Sequence, residues 1–159
     1  MKAPVDAVAV KEASIEIGAS PGAVYALVAD VSRMGEWSPE ATGGEWMDGG
    51  SGQVGDWFMG HNQAGEREWS RECQVAAADP GSDFTFMVGG VDANFTTWSY
   101  EMESVGENRT KLTERFWFVN KTPALAAATE EQVAARLDAV QSAIEQTLTA
   151  IKAAAEGSD

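Results

Sequence analysis

A chain of 159 residues and 16.9 kDa has the length for one domain with a continuous core, spanning 1–159 as a single unit. Hydrophobic residues at 44 % and charged residues at 23 % match globular usage and exclude a disordered chain. Its 25 acids against 11 bases leave a formal charge of -14, which repels nucleic-acid phosphates and anionic membrane surfaces, so neither is an expected partner.

The opening stretch, MKAPVDAVAVKEAS, lacks the apolar run and cleavage site of a signal peptide, and a cytoplasmic location is expected. ASIEIGAS then alternates as a short strand, and Ser20-Pro21 reads as an N-cap followed by proline at the first helical position. Val24, Leu27, Val28 and Val31 follow at helical spacing, and the pattern fades between Asp30 and Gly35. The glycine-rich stretch 41–55 reads as a hairpin or mobile loop around a short strand at GEWMD. From Asp56 to Val119 five alternating runs are punctuated by turns: DWFMGHN, EREWSRECQVAAA, DFTFMV, NFTTWSYEME and TKLTERFWFV. Residues 129–156 carry Val133, Leu137, Val140, Ile144, Leu148 and Ile151 as the stripe of a long amphipathic helix. No run, TPALAAAT included, is long enough to enter and span a bilayer. The order is strand, helical region, roughly six strands and a long helix, which defines an α+β domain whose antiparallel sheet buries one face against the last helix.

Strand alternation sorts the chemistry. In GEREWSREC one face carries Glu66, Glu68, Ser70 and Glu72, and the other Arg67, Trp69, Arg71 and Cys73. The same rule puts Trp98, Tyr100 and Met102 on one face of a later strand, and Leu112, Glu114, Phe116 and Phe118 on one face of the last. Arg71 and Glu114 are the charged exceptions on apolar faces, and an uncompensated buried charge costs roughly 3–5 kcal/mol. They are expected to face each other, directly or through water, within about 8 Å. Arg67, nearer the turn, is expected at a rim with its stem covered and its head in water. For His61 the register decides: with Phe58 inward the imidazole falls outside, and with Trp57 and Met59 inward it joins the interior. The first register is favoured. One cysteine, Cys73, excludes an intramolecular disulfide, and together with a single histidine it leaves no His/Cys metal cluster. Neither metal nor cofactor is expected.

The stretch SIEIGASPGAVYALVADVSRMGEWSP, with Ala19-Ser20-Pro21, Val24-Tyr25, Asp30 and Trp37-Ser38-Pro39, resembles the START-like or SRPBCC superfamily, the polyketide cyclase/dehydrase and lipid-transport group. VGDWFMGHNQAG, WSREC and AADPGSDFTF are similar to its small bacterial members, and the resemblance covers about residues 13–153. It implies a helix-grip fold, in which a curved antiparallel sheet of about seven strands wraps a long C-terminal helix and leaves a cavity. In that cavity the expected ligand-binding residues are Trp37, Phe58, Trp69, Arg71, Phe86, Trp98, Tyr100, Met102, Glu114, Phe116, Leu137 and Ile144. The competing assignment for each aromatic is an ordinary core position.

The favoured function is binding of a small hydrophobic molecule such as a lipid, polyketide, sterol or aromatic metabolite. An alternative is a cyclase or dehydratase, with Arg71 as electrophilic clamp and Tyr100, Glu114 or His61 exchanging protons. Superfamily aromatase/cyclases line their pocket with an arginine, a tryptophan and a hydroxyl. Trp69-Ser70-Arg71 is similar, but alternation turns Ser70 to the other face. A further alternative is a protein-interaction module with an acidic surface.

Overall fold

The computed structural model describes residues 9–119 and 128–157. Seven strands form one antiparallel sheet: β1 (Ala9–Ile17), β2 (Ala41–Trp46), β3 (Trp57–Ala64), β4 (Arg67–Asp79), β5 (Asp83–Val88), β6 (Thr96–Gly106) and β7 (Arg109–Phe118). Their spatial order is β1-β7-β6-β5-β4-β3-β2, so β2 to β7 run as a meander and β1 returns to close the far side. Helix α1 (Pro21–Val28), a 3-10 helix (Val31–Glu36), the single turn α2 (Gly90–Ala93) and the long helix α3 (Glu130–Glu156) complete the chain.

Local chemistry sets the boundaries. The Ser20 hydroxyl accepts from the Ala23 N–H and Pro21 opens α1, the expected start. Thr129 and Gln132 form a reciprocal capping box at the head of α3. β1 begins at Ala9, four residues ahead of its apolar alternation, because it pairs with β7 over the whole span from Phe118 to Thr110. Gly89-Gly90 does more than turn the chain: it opens α2, and Gly90 sits at φ 92° with the Trp57 ring so close that a Cβ would lie 2.3 Å from it. The glycine-rich segment contains a true edge strand, β2, which starts at Ala41 and is paired with β3 and covered by the 3-10 helix.

The concave face of the sheet and α3 enclose the core. Ile17, Val24, Val28, Val31, Phe84, Leu112, Leu148 and Ile151 are buried in it, and α1 touches β5, β6, β7 and α3 at this end. The C-terminal half of α3 is thereby anchored, while its N-terminal half lies toward the opposite end. No helix among the described residues is long and apolar enough to cross a membrane. Residues 122–127 of TPALAAAT lie outside the described residues.

Candidate functional site

The period of two delivers alternate side chains of five strands into one space. β3 contributes Phe58, β4 contributes Trp69, Arg71 and Cys73, β5 contributes Phe86, β6 contributes Trp98 and Tyr100, and β7 contributes Glu114, Phe116 and Phe118. The 3-10 helix adds Met34 and its cap residue Trp37, and α3 adds Arg136, Val140, Ala143, Ile144 and Thr147. Together they bound a cavity of about 360 Å³, within the usual range of small-molecule sites. Its walls are aromatic pairs. Phe58 meets Phe86 edge to face at 5.1 Å and Trp98 tilts onto Phe116 at 4.7 Å.

Ten of the twelve residues expected around the ligand line this cavity; Met102 and Leu137 do not. Met102 is buried further along β6, opposite Leu112, at the end that α1 plugs. Leu137 sits between the two flanks of α3, about 20° round from the cavity-lining Ile144 and about 40° from Gln141, and is partly buried against the core. On the Gln141 flank, Gln141 and Lys152 bond the β1 carbonyls of Glu12 and Glu16. The amphipathic stripe therefore splits, one flank holding the sheet edge and the other facing the cavity.

Glu114 is the chemical centre of the inner wall. It is 2 % exposed, flanked by Ala13 on β1 and Tyr100 on β6, and its Oε1 is buried without a hydrogen-bond partner. Burial pushes its carboxyl up to about 8, against a hydrogen bond from the Tyr100 phenol that acts in the other direction. At neutral pH the group holds its proton. Tyr100 is raised well above its ordinary value, first by burial and then by the adjacent carboxyl.

Arg71 does not join it. No ion pair links the two, and the Arg71 guanidinium donates a long 3.5 Å bond to the Ser70 carbonyl. Register explains the separation. The ladder runs Glu114–Tyr100–Phe84 at one level and Phe116–Trp98–Phe86–Val75 at the next, with Arg71 four residues further along β4. Six residues of strand are about 20 Å at 3.3 Å per residue. The polar groups thus form two poles, with Glu114 and Tyr100 inside and Arg71 at the open end.

Arg67 takes the rim position, exposed, with its guanidinium over the Trp69 ring at 4.9 Å. His61 follows the Phe58-inward register: its ring bonds Ser70 Oγ at 2.7 Å and Glu45 Oε1 at 3.0 Å on the outer face, the face that Ser70 also occupies. Burial pushes the Cys73 thiol up to about 12, the behaviour of a packing residue. Sequence reasoning missed Arg136 and Glu40, which pair at 2.6 Å beside the cavity and tie α3 to the segment before β2. The available signal was the spacing Arg136, Val140, Ala143, Thr147, a second stripe of small and polar residues beside the apolar one. Among the described residues no three His, Cys, Asp or Glu side chains converge as a metal site.

An antiparallel sheet curved around a C-terminal helix, with an aromatic cavity between them, defines a helix-grip domain. The chain belongs to the polyketide cyclase / dehydrase and lipid transport family, which matches residues 9–156, within the START-like superfamily. It is 35 % identical to the Polyketide_cyc-like protein Cgl2372 from Corynebacterium glutamicum, covering 90 % of this chain and 88 % of that one, with a TM-score of 0.61. The Zhui aromatase/cyclase from Streptomyces sp. R1128 shares the fold at 16 % identity, 92 % and 93 % coverage and a TM-score of 0.74. The major latex-like protein 151 from Panax ginseng does so at 15 %, 86 % and 95 %, and 0.58. No curated protein gives a significant match.

Proposed function

We propose that this chain binds a small, largely apolar molecule in its internal cavity. The observation that carries the reading is the buried, unpartnered Glu114 Oε1 in the wall of an aromatic cavity of about 360 Å³. A buried polar atom without a partner costs about 1–3 kcal/mol, and a guest that supplies one recovers that cost. The apolar walls supply affinity: covering ~200 Å² of guest surface is worth on the order of 5 kcal/mol before the costs of immobilisation. Native mass spectrometry of the purified protein, followed by thermal denaturation with a library of lipids and aromatic metabolites, tests the reading. An extractable guest or a ligand-dependent rise in Tm supports it. An empty protein that no library member stabilises overturns it.

A second reading, catalysis on a keto or hydroxylated intermediate, is favoured by one observation: Glu114 retains its proton near neutrality beside Tyr100, as a general acid must. Glu114→Gln and Tyr100→Phe would then lower kcat with little change in KM, whereas for a carrier they alter affinity alone.

A further inference from the structure

We propose that the guest is bipolar: an elongated apolar body with a hydroxyl at its inner end, meeting Glu114, and an anionic carboxylate at its outer end, meeting Arg67 and Arg71. The inference rests on the ligand-binding reading and adds the chemical class of the ligand.

The outer pole follows from a census of arginines. The chain has six. Arg33 meets Glu36, Arg109 meets Glu16, Arg115 meets Glu12 and Glu101, and Arg136 meets Glu40. Among the described residues Arg67 and Arg71 meet no carboxylate: the first lies over Trp69 and the second reaches a backbone carbonyl. In a chain with 25 acids and 11 bases, an arginine without an acid is the exception. The acids nearest in sequence, Glu66, Glu68 and Glu72, are turned to the other face by strand alternation. Glu40, the carboxylate beside the cavity, is already held by Arg136. Two guanidiniums are therefore left for a planar anion, the group they bind best.

The inner pole follows from Glu114. A hydroxyl both donates and accepts, so it satisfies Oε1 whether that atom carries the proton or not. A carboxylate there would find no compensating cation, since none pairs with Glu114. The six-residue offset between Glu114 and Arg71, about 20 Å of strand, places the two groups at opposite ends of one molecule.

The test is a matched set of chains, ω-hydroxydodecanoate, dodecanoate and dodecanol, titrated into the intact protein and read by displacement of a hydrophobic fluorophore. The bipolar acid is expected to bind about tenfold more tightly than either relative, since one extra satisfied group is worth about 1.4 kcal/mol. In the double variant Arg67→Leu, Arg71→Leu, ω-hydroxydodecanoate should fall to the affinity of dodecanol, whose own binding is unchanged, and dodecanoate, left with neither polar contact, should fall below both. In Glu114→Leu, ω-hydroxydodecanoate should bind no better than dodecanoate. The wild-type comparison stands alone if a variant fails to fold. Equal affinity for all three chains, or displacement of the bound fluorophore by none of them, overturns the bipolar assignment and leaves hydrophobic binding intact; failure of the fluorophore and of all three chains to bind overturns both.

Discussion

A carboxyl that keeps its proton to about pH 8 makes the folded state sensitive to alkali. The folded value for Glu114 lies above the ordinary ~4.3, so between the two the unfolded chain releases a proton that the folded chain retains. Stability is full below the lower value and declines as pH rises to the upper one, by an amount on the order of a few kcal/mol. Urea unfolding at several pH values between about 5 and 9 should show this decline in the wild type and a flatter profile in Glu114→Gln. Asp56 acts at the other end. The backbone N–H groups of Ser51, Gln53 and Gly52 hold its carboxylate below the ordinary range, so its contribution is lost in acid. Glu114 and Arg71 were both legible in the sequence as charged exceptions to alternation. Their separation was not, because alternation assigns a face while register assigns a position along it. Arg136 was passed over for a related reason: beside Leu137 it reads as the polar margin of an apolar stripe.

Elements were most legible where side-chain chemistry marks their ends. Ser20-Pro21 is a start signal that tertiary contacts do not override, and α1 begins there; α3 begins beside Thr129, where the apolar stripe was expected to start, and a capping box closes its first turn. Ser20→Ala should lower stability by about 1 kcal/mol in chemical denaturation, without changing the fold. β5, a continuous apolar run between Asp79-Pro80-Gly81 and Gly89-Gly90, matched its expected span, Asp83–Val88. β2 was legible only at its C-terminal end, in the short strand expected at GEWMD: glycine is a poor strand former and contributes no alternation, so the start at Ala41 comes from pairing to β3 and from the 3-10 helix lying against it. Met102 and Leu137 were misplaced in the same way, since an apolar residue on the correct face of an element can meet either the cavity or a neighbouring element.

At the scale of the molecule, α3 has a fixed half and a spanning half. Leu148 and Ile151 are buried in the core at the end where α1 meets α3, whereas Arg136 crosses to Glu40 as a partly exposed pair. Such a pair adds at most about 1 kcal/mol to folding. Arg136→Ala should therefore leave Tm almost unchanged while speeding dissociation of a bound fluorophore several-fold in stopped-flow measurements. Among the described residues the sheet order also leaves two lateral strands, β1 and β2, with backbone groups on one side that no other strand satisfies. α3 covers the first, and the 3-10 helix covers the second so closely that a Cβ on Gly35 would stand 2.5 Å from the Thr42 carbonyl oxygen. Gly35→Ala should lift that cover, and light scattering should then detect self-association, as a bared strand recruits the same strand of another copy. The segment that lends Met34 and Trp37 to the cavity thus also guards the protein against aggregation.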